Sequence, residues 1–472
     1  MTTQPPIEAL SQRLRSQRAA FAAEPYPTLA RRREWIDRIL DMTARYQHDI
    51  VEAARADFGG RAPAETTLVE VFGTTANARN TKRRLKKWMR ARRMPTAPPF
   101  RPGYNRLMAQ PVGVVGVIAP WNLAYNLSMG PAIAAFAAGN RVMLKPSEIT
   151  PASAELIRRM VGENFDPDEF DVFPGGPELA AAFSELPFDH LLYTGSTSIG
   201  RRVAEAAARN LTPVTLELGG KSPVIIDDSA DFKRAARRIA FAKLFNGGQV
   251  CIAPDYALVP RSRRDEFAQA VLAAARDLYP DAATNDDYCS IVSDRHHERL
   301  VGLLSEAGAA GTEVLSVAPI EESHDRRIPL QVLLDPDEKL GVMKEEIFGP
   351  LLPVVSYGSP DEAIRYVNER PRPLALYWFG EDRKRREDVL HQTISGGVTI
   401  NDAIWHFAQE DQPFGGVGES GMGAYHGEAG FRTFSKEKPV YHSAAWPYSM
   451  AMFQPPYSDR TMKLLEFLRR IV

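Results

Sequence analysis

From residue 112 onward, short β-rich runs alternate with helical segments, and this alternation restricts the fold more than any other feature of the chain. VGVVGVIA (112–119) and RVMLK (141–145) predict strands, with the small-residue helix PAIAAFAAG between them. HLLYTG (190–195) and PVTLEL (213–218) follow in the same style, each next to an amphipathic segment. Because βαβ units place consecutive strands parallel and cover them with helices, the pattern predicts a mainly parallel sheet with helices on both faces.

The alternation resumes after residue 220 and predicts a second unit of the same kind. The strand candidates there are PVIIDD, YALVP, LLPVVSY, LALYWF and GGVTIN. A chain of 472 residues is too long for one simple core and should divide into two or three packed units. We therefore predict an α/β fold with two doubly wound domains that meet near residues 217–221.

Segments of different character flank these two units. Residues 5–93 carry apolar side chains at helical spacing and predict helices, whereas the proline-rich stretch 94–110 predicts an extended connector. The ending TMKLLEFLRRIV predicts a helical tail that docks through one apolar stripe. That stripe consists of Leu464, Leu465, Leu468 and Val472.

The charge balance excludes a general affinity for nucleic acid, because the formal net charge is only −1. One local exception is the basic stretch KRRLKKWMRARR at 82–93. We interpret it as a solvated helix face or an exposed connector, and a polyanion-binding patch is the alternative.

The chain also has the features of a cytoplasmic protein without a membrane partner. The charged N-terminus lacks the apolar core of a signal peptide, and no run reaches the ~20 apolar residues of a membrane span. The two cysteines, Cys251 and Cys289, lie far apart without a framework of spacings, which suits a reducing compartment. No metal site is predicted.

Cys251, in FNGGQVC, is the candidate nucleophile. The preceding glycines permit unusual backbone dihedrals and close backbone approach, which suits a thiol that projects into a channel. A nucleophilic cysteine needs a lowered pKa or a nearby base, and the alternative is a buried small hydrophobic residue. Cys289, in NDDYCSIV, has acidic neighbours that disfavour a thiolate, so we interpret it as structural.

Two further segments carry candidate catalytic side chains. Glu217, in TLELGGKSP, ends an apolar strand, where burial would raise its pKa and suit it to take a proton from water. A pair with Lys221 is the alternative. Asn122, in IAPWNLAYN, offers an amide N–H to a developing oxyanion. For this residue the alternative is an Asx-turn after Trp121.

Cofactor binding rests on two other segments. LYTGSTSIGRRVAEAAA (192–208) is a strand, a glycine turn and a helix, and the helix N-terminus next to Ser196 offers free N–H groups to a pyrophosphate. It is not the G-x-G-x-x-G fingerprint. MLKPSE supplies Lys145 and Glu148 at another strand end, where they could hold ribose hydroxyls or pair with each other.

The order of these segments carries a family resemblance. PWN, LKPSE, TGSTSIG, LELGGKSP, GQVC, EEIFGP and PFGGVGESGMG follow one another over some 300 residues. This series resembles the aldehyde dehydrogenase superfamily over nearly the whole chain. The ending PFGGVGESGMGAYHG looks like the class 3 branch. QRAAFAAEPYPTLARR and APDY look most like the bacterial coniferyl aldehyde dehydrogenases within that branch.

The resemblance implies roles for the candidate residues. Cys251 would be the nucleophile, Glu217 the base that activates the hydrolytic water, and Asn122 with the backbone N–H of Cys251 the oxyanion hole. The cofactor would be NAD or NADP, and both are expected to serve. The residues expected to bind it are Trp121, Lys145, Glu148, Gly195, Ser196, Thr197, Ser198, Ile199, Gly200, Glu346 and Phe348.

The resemblance also implies an organisation for the chain. The cofactor-binding domain would comprise 1–93 and 111–216, and the catalytic domain 217–410. A small β-rich bridging and oligomerisation element would comprise 94–110 and 430–445, and a docking tail 446–472. As in class 3 relatives, we expect a homodimer, with the edge strand EKPVYHS at 437–443 available for pairing.

The expected substrate is a small-molecule aldehyde of aromatic type, with medium- or long-chain aliphatic aldehydes as the alternative. Trp405, His406 and Phe407 precede PFGG and would line the channel mouth. Ala124 stands where the family commonly has proline, and Val250 where it often has threonine or cysteine, and both would border the channel.

Three other functions of the same fold are less consistent with these residues. An acylating enzyme that uses coenzyme A would not need Glu217 as a base for water. A membrane-bound fatty aldehyde dehydrogenase carries an apolar C-terminal anchor, whereas here the end includes Arg469 and Arg470. A catalytically silent binding or structural protein would be expected to have lost the nucleophile, the base or the oxyanion donor.

Overall fold

A computed structural model describes residues 7–320, 325–444 and 454–470. Within these ranges the strands are β1 (Arg92–Met94), β2 (Tyr104–Pro111), β3 (Val114–Ile118), β4 (Arg141–Lys145), β5 (Phe170–Val172), β6 (His190–Thr194), β7 (Val214–Glu217), β8 (Pro223–Ile226), β9 (Tyr256–Pro260), β10 (Glu313–Ser316), β11 (Gln331–Leu334), β12 (Leu351–Tyr357), β13 (Ala375–Phe379), β14 (Gly397–Ile400), β15 (Gly421–Met422) and β16 (Ser435–His442).

Helices separate most of these strands, as the alternation predicts. In the same ranges they are α1 (Ile7–Ala23), α2 (Leu29–Arg45), α3 (Gln47–Phe58), α4 (Pro63–Thr66), α5 (Gly73–Trp88), α6 (Asn126–Ala138), α7 (Pro151–Asn164), α8 (Pro177–Ser184), α9 (Thr197–Arg209), α10 (Phe232–Leu244), α11 (Arg264–Leu278), α12 (Asp294–Ala309), α13 (Gly341–Lys344), α14 (Pro360–Asn368), α15 (Arg383–Gln392), α16 (Gly427–Thr433) and α17 (Asp459–Arg469). A π-helical turn, Thr67–Phe72, joins α4 to α5.

The first sheet has the order β15-β7-β6-β3-β4-β5. All its strand pairs are parallel except β15 with β7. The sheet lies under α6, which is buried along its whole length because its residues are small or apolar. Since parallel strands share one carboxyl-terminal edge, the residues that follow β3, β4, β6 and β7 come to that edge together.

The second sheet has the order β10-β11-β12-β9-β8-β13-β14. It is parallel except for the pair β10 and β11. The first sheet's β7 ends at Glu217 and the second sheet's β8 begins at Pro223, so the chain passes from one sheet to the other over residues 218–222. The predicted fold class, α/β with two doubly wound parallel-dominated sheets, is confirmed.

A third, antiparallel sheet has the order β1-β2-β16. Residues 435–442 of β16 pair in register with 111–104 of β2. Within the stretch 94–110, predicted as an extended connector and as part of a β-rich bridging element, the chain forms β2 from Tyr104 onward. The proline residues of this stretch lie before Tyr104, and the chain after them is free to form a ladder.

The N-terminal helices pack as the helical spacing predicts. Trp35, Ile36, Ile39 and Met42 of α2 are fully buried. The tail helix α17 also forms, but Leu465 stays 42 % exposed, and Val472 lies outside the described residues. Docking of the tail stays a prediction.

Among the described residues, no helix combines the length and the apolar character needed to cross a bilayer. In the same part of the chain, no group of three or more His, Cys, Asp or Glu side chains is arranged to hold a metal ion.

Candidate active site

Cys251 follows a turn whose backbone only particular residues can adopt. Asn246, Gly247 and Gly248 have φ values of +52°, +62° and +77°. Glycine is required at position 248 because its φ is positive and because a Cβ there would lie 2.6 Å from the carbonyl carbon of Gly349. The turn leaves the residue Cys251 half-buried.

Glu217, the last residue of β7, is buried and only 3 % exposed. Among the residues that the structure describes, neither Oε1 nor Oε2 has a hydrogen-bond partner. Burial raises the pKa of this carboxyl well above its ordinary value. The alternative pair with Lys221 is wrong, because the Lys221 ammonium instead binds the carboxylate of Asp255.

Burial disfavours ionisation of the Cys251 thiol. Burial raises the pKa of the thiol to about 12, and the negative charges of Glu346 and Glu217 act in the same direction. The structure therefore brings Cys251 and Glu217 into one electrostatic site. The pKa of this thiol is therefore shifted away from the lowered values that favour a thiolate.

Asn122 lies beside the same turn. Its Nδ2 donates to the carbonyl oxygen of Gln249 at 3.1 Å, and its own carbonyl oxygen accepts from Asn246 Nδ2 at 3.1 Å. The side chain thus bonds a segment 127 residues away and not the backbone of its own turn, as the Asx-turn alternative would have it. The structure brings the amide of Asn122 next to the residues that precede Cys251.

The turn from β6 to α9 keeps its helix N-terminus open. Ser196 is the N-cap and is exposed, but its side chain makes no capping hydrogen bond, so the first-turn N–H groups are free. Thr197 Oγ1 donates to the carbonyl oxygen of Glu419 at 3.0 Å, while Ser198 and Ile199 are exposed.

Two glycines shape this turn. A Cβ at Gly200 would meet Leu218 at 2.6 Å, so glycine lets α9 pack closely on the sheet. A Cβ at Gly195 would collide with the hydroxyl of Tyr193.

Lys145 and Glu148 form an ion pair at the end of β4. The Lys145 Nζ lies 2.6 Å from the Glu148 Oε2. The lysine side chain is 2 % exposed and the glutamate side chain 40 %. The predicted pairing with each other is therefore present, and the exposed carboxylate keeps room for a further partner.

Glu346 and Phe348 approach the site from the second sheet. The Glu346 carboxylate lies against Gly219, where any Cβ would collide with it, and accepts the backbone N–H of Gly220. Burial raises its pKa to about 8. Phe348 has a φ of +48° and packs edge-on against Trp121, with ring centroids 5.3 Å apart.

These residues fit a dinucleotide. The open N-terminus of α9 has uncommitted N–H groups that could donate to a pyrophosphate, and Glu148 and Glu346 have carboxylates that could accept from ribose hydroxyls. The missing side chain at Gly219 leaves the space that Glu346 uses. All these groups lie at the carboxyl-terminal edge of the first sheet, where open α/β sheets bind their ligands.

The aromatic residues before PFGG, Trp405, His406 and Phe407, differ in their exposure to solvent. Trp405 is 40 % exposed and stacks on Phe241, with ring centroids 6.3 Å apart. Phe407 packs edge-on against Phe414. His406 is largely buried, and burial lowers its pKa to about 4.

Several residues at the site have no role predicted from the sequence. Tyr425 lies near both Cys251 and Glu217, whose charges help to raise its pKa. Tyr425 belongs to the motif GMGAYHG, so the sequence does contain a signal that points to this residue. Asn246, by contrast, gave no signal beyond its place before the glycines. Ala124 and Val250 are both buried.

Cys289 and the basic stretch behave as interpreted. Cys289 is buried, and its Sγ lies 3.4 Å from Asn246 Oδ1.

In the stretch 82–93, Lys82 pairs with Asp37, and Arg92 pairs with Glu437 at 2.6 Å. These ion pairs favour the solvated face over a polyanion patch.

Sequence comparison yields one family and a group of close relatives. The profile of the aldehyde dehydrogenase family matches residues 8–440. A probable coniferyl aldehyde dehydrogenase of Pseudomonas aeruginosa is 46 % identical, covering 97 % of this chain and 95 % of the relative. A probable coniferyl aldehyde dehydrogenase of Caulobacter vibrioides is 44 % identical, with coverage of 96 % and 95 %. The coniferyl aldehyde dehydrogenase of a Pseudomonas species is 42 % identical, with coverage of 98 % and 96 %.

Structure comparison agrees. A substrate-bound AldH of Staphylococcus aureus superposes with a TM-score of 0.92 at 36 % identity, covering 97 % of this chain and 99 % of the other. An aldehyde dehydrogenase of Mycobacterium tuberculosis complexed with NAD⁺ superposes with a TM-score of 0.84 at 27 % identity, with coverage of 94 % and 92 %.

Proposed function

This chain belongs to the aldehyde dehydrogenase family and acts on aldehydes with a nicotinamide dinucleotide, and from that premise we propose that it oxidises an aromatic, coniferyl-aldehyde-like substrate through Cys251. The observation that carries the proposal is the site that Glu217 and Cys251 share. Both oxygens of the Glu217 carboxyl are buried and make no hydrogen bond among the described residues, and burial raises its pKa, which favours a role in proton transfer.

The proposed reaction begins at the Cys251 sulfur. Once deprotonated, the thiolate attacks the aldehyde carbon, and the carbonyl π pair moves to oxygen as an alkoxide. Asn122 Nδ2 and the Cys251 backbone N–H donate to that alkoxide. When bound, a nicotinamide dinucleotide would supply the hydride acceptor for this carbon, and loss of the hydride would leave a thioester on Cys251.

Hydrolysis then releases the product. Glu217 takes a proton from water, the resulting hydroxide attacks the thioester carbon, and the C–S bond breaks to return the thiolate. The overall balance is aldehyde, water and oxidised dinucleotide giving carboxylic acid, reduced dinucleotide and a proton. Because burial raises the pKa of the Cys251 thiol to about 12, the thiol has to lose its proton before the sulfur attacks.

For the dinucleotide we propose NAD or NADP, with neither excluded. Lys145 and Glu148 would meet the adenine ribose, the turn Gly195–Gly200 the pyrophosphate, and Glu346 with Phe348 the nicotinamide end, beside Trp121. Support comes from the open N-terminus of α9 and from the exposed Glu148 carboxylate. The first sheet would thus carry the cofactor and the second the catalytic thiol.

Aromatic side chains support an aromatic substrate. Trp405 presents a ring to solvent while its other face stacks on Phe241, and the curated relatives named above are coniferyl aldehyde dehydrogenases. A medium-chain aliphatic aldehyde is the second candidate, because an apolar ring face also packs against methylenes.

A steady-state survey of kcat/KM over both aldehyde types, with NAD and with NADP, tests the proposal. We expect the phenylpropenal to exceed a C8–C10 aliphatic aldehyde by about tenfold or more, the discrimination available from one or two good apolar contacts. Trp405→Ala should reduce that ratio, and Ile394→Ala, at another exposed apolar residue, should leave it unchanged. An equal or reversed ratio in the wild type would favour the aliphatic candidate.

We also propose a homodimer, located in the cytoplasm. The edge strands β1 and β16 of the third sheet have no second neighbour within the described residues, and such edges can pair with a partner. The two unbridged cysteines fit a reducing compartment.

A further inference from the structure

Asn246 is fully buried and connects the two halves of the proposed oxyanion site. Its side-chain Nδ2 donates to the carbonyl oxygen of Asn122 at 3.1 Å and to the carbonyl oxygen of Gln249 at 3.2 Å. We propose that Asn246 is a positioning residue that holds the amide of Asn122 and the Cys251 turn in one pre-formed geometry. This inference rests on the proposed function of Asn122 and Cys251.

The carbonyl oxygen of Gln249 is the shared point of this arrangement. It accepts from Asn122 Nδ2 at 3.1 Å as well as from Asn246 Nδ2. One N–H of the Asn122 amide is therefore committed to Gln249, and this bond fixes the direction of the other N–H. With both hydrogens of the Asn246 amide committed, a shift of either segment breaks a buried hydrogen bond.

Asn246 is itself held from two sides. Its backbone N–H donates to the carboxylate of Glu65 on α4. Its Oδ1 lies 3.4 Å from the thiol of Cys289, which donates to it. Every polar atom of the Asn246 side chain thus has a partner, as a buried residue requires.

The same N-terminal segment also holds the helix that follows Asn122. Arg61 lies between Glu65 and Glu70, and its Nη1 donates to Glu70 at 3.2 Å. Glu70 in turn accepts the backbone N–H of Asn126, the first residue of α6, at 2.7 Å. The buried carboxylates of Glu65 and Glu70 therefore anchor the Cys251 turn and the Asn122 segment to one short stretch of chain.

A simpler role for Asn246 is to supply the left-handed backbone of the turn, since asparagine tolerates a φ of +52° better than most residues. Glycine would satisfy that role equally well but cannot supply the amide. Asn246→Gly therefore separates the two roles. Leu211→Gly is a matched control, because Leu211 has a φ of +55° and is 89 % exposed.

The experiment compares the pre-steady-state burst of reduced nicotinamide in the full-length variants. Asn246→Gly should lower the burst rate constant by about 10- to 100-fold, somewhat less than the loss of a whole oxyanion donor. The Kd of the dinucleotide should stay within about twofold, because within the described residues Asn246 makes no hydrogen bond to a proposed cofactor residue. Leu211→Gly should keep the wild-type burst. A burst in Asn246→Gly above half the wild-type rate constant would overturn the inference.

Asn246→Asp provides a second test that does not depend on the glycine variant folding. An ionised carboxylate would face the carbonyl oxygens of Asn122 and Gln249, which repel it, whereas a protonated carboxyl can donate to one of them. The burst rate of this variant relative to wild type should therefore rise as the pH falls from 8 to 6. No relative gain at pH 6 would contradict the inference. Failure of the wild type to reduce the dinucleotide with any aldehyde would contradict the proposed function instead.

Discussion

The Lys145 ammonium and the Glu148 carboxylate are joined by an ion pair with a 2.6 Å Nζ–Oε2 separation, at the strand end proposed to meet the adenine ribose. The carboxylate favours ribose hydroxyls and repels an added phosphate, while the lysine offsets that repulsion. Because Glu148 is 40 % exposed, solvent screens both effects.

We therefore expect both NAD and NADP to serve, with a kcat/KM ratio below about a hundredfold. Glu148→Gln should raise kcat/KM for NADP and lower it for NAD. Glu185→Gln, which changes an exposed carboxylate paired with Arg209, is the control. An unchanged cofactor ratio in Glu148→Gln would mean that Glu148 does not touch the ribose.

Glu217 should act after the hydride has left. Glu217→Gln removes the base but keeps the volume of the side chain, so turnover should fall by roughly 10²–10⁴-fold, the range for a positioned general base. The burst of reduced nicotinamide should survive, because acylation precedes hydrolysis. Loss of the burst together with turnover would assign Glu217 to thiol activation instead.

The burial pattern of each strand decides whether it can be predicted from the sequence. The strands at 114–118, 141–145 and 256–260 can be predicted because each contains a run of apolar residues that is buried on both faces. The short edge strands β1 and β10 have mostly exposed or half-buried residues and no such run, so they were missed.

The partners of side chains are harder to predict from the sequence than the positions of strands. Lys221 lies four residues from Glu217 but binds Asp255, because the start of β9 lies next to β8 in the second sheet. The bonds of Asn246 join it to residues 124 and 181 positions away, and local spacing carries no information about them.

Glu410 should make stability depend on pH. Burial raises its pKa to about 7, although a hydrogen bond from Asn77 opposes the shift. The folded chain therefore binds this proton more tightly than the unfolded chain. The resulting contribution to the free energy of unfolding is fully present below about pH 4.5 and is lost as the pH rises through about 7.

Glu410→Gln removes this dependence. The variant and the wild type should melt at similar temperatures at pH 5, and at pH 8 the variant should melt higher by about 1–2 °C. Thermal unfolding monitored at both pH values measures the difference. Glu205→Gln, at an exposed position on α9, should show no such pH-dependent gap. A gap of equal size at pH 5 would mean that the glutamine acts by a mechanism other than proton binding.

The proposed dimer has a direct test. Light scattering at micromolar concentration should give twice the chain mass of 52.4 kDa, because the edge strands β1 and β16 are available to a partner copy. A monomer or a tetramer would overturn the proposal.

The covalent bond to Cys251 is the central claim, and mass spectrometry of the trapped enzyme tests it most directly. Glu217→Gln is mixed with the aldehyde and the dinucleotide, quenched in acid and digested. The chain has two cysteines, so Cys251→Ser and Cys289→Ser in this background are matched controls. The account predicts that the acyl group adds its mass to the Cys251 peptide, persists in Cys289→Ser and disappears in Cys251→Ser together with reduction of the dinucleotide. An unmodified Cys251 during dinucleotide reduction, or an acyl group on Cys289, would contradict it.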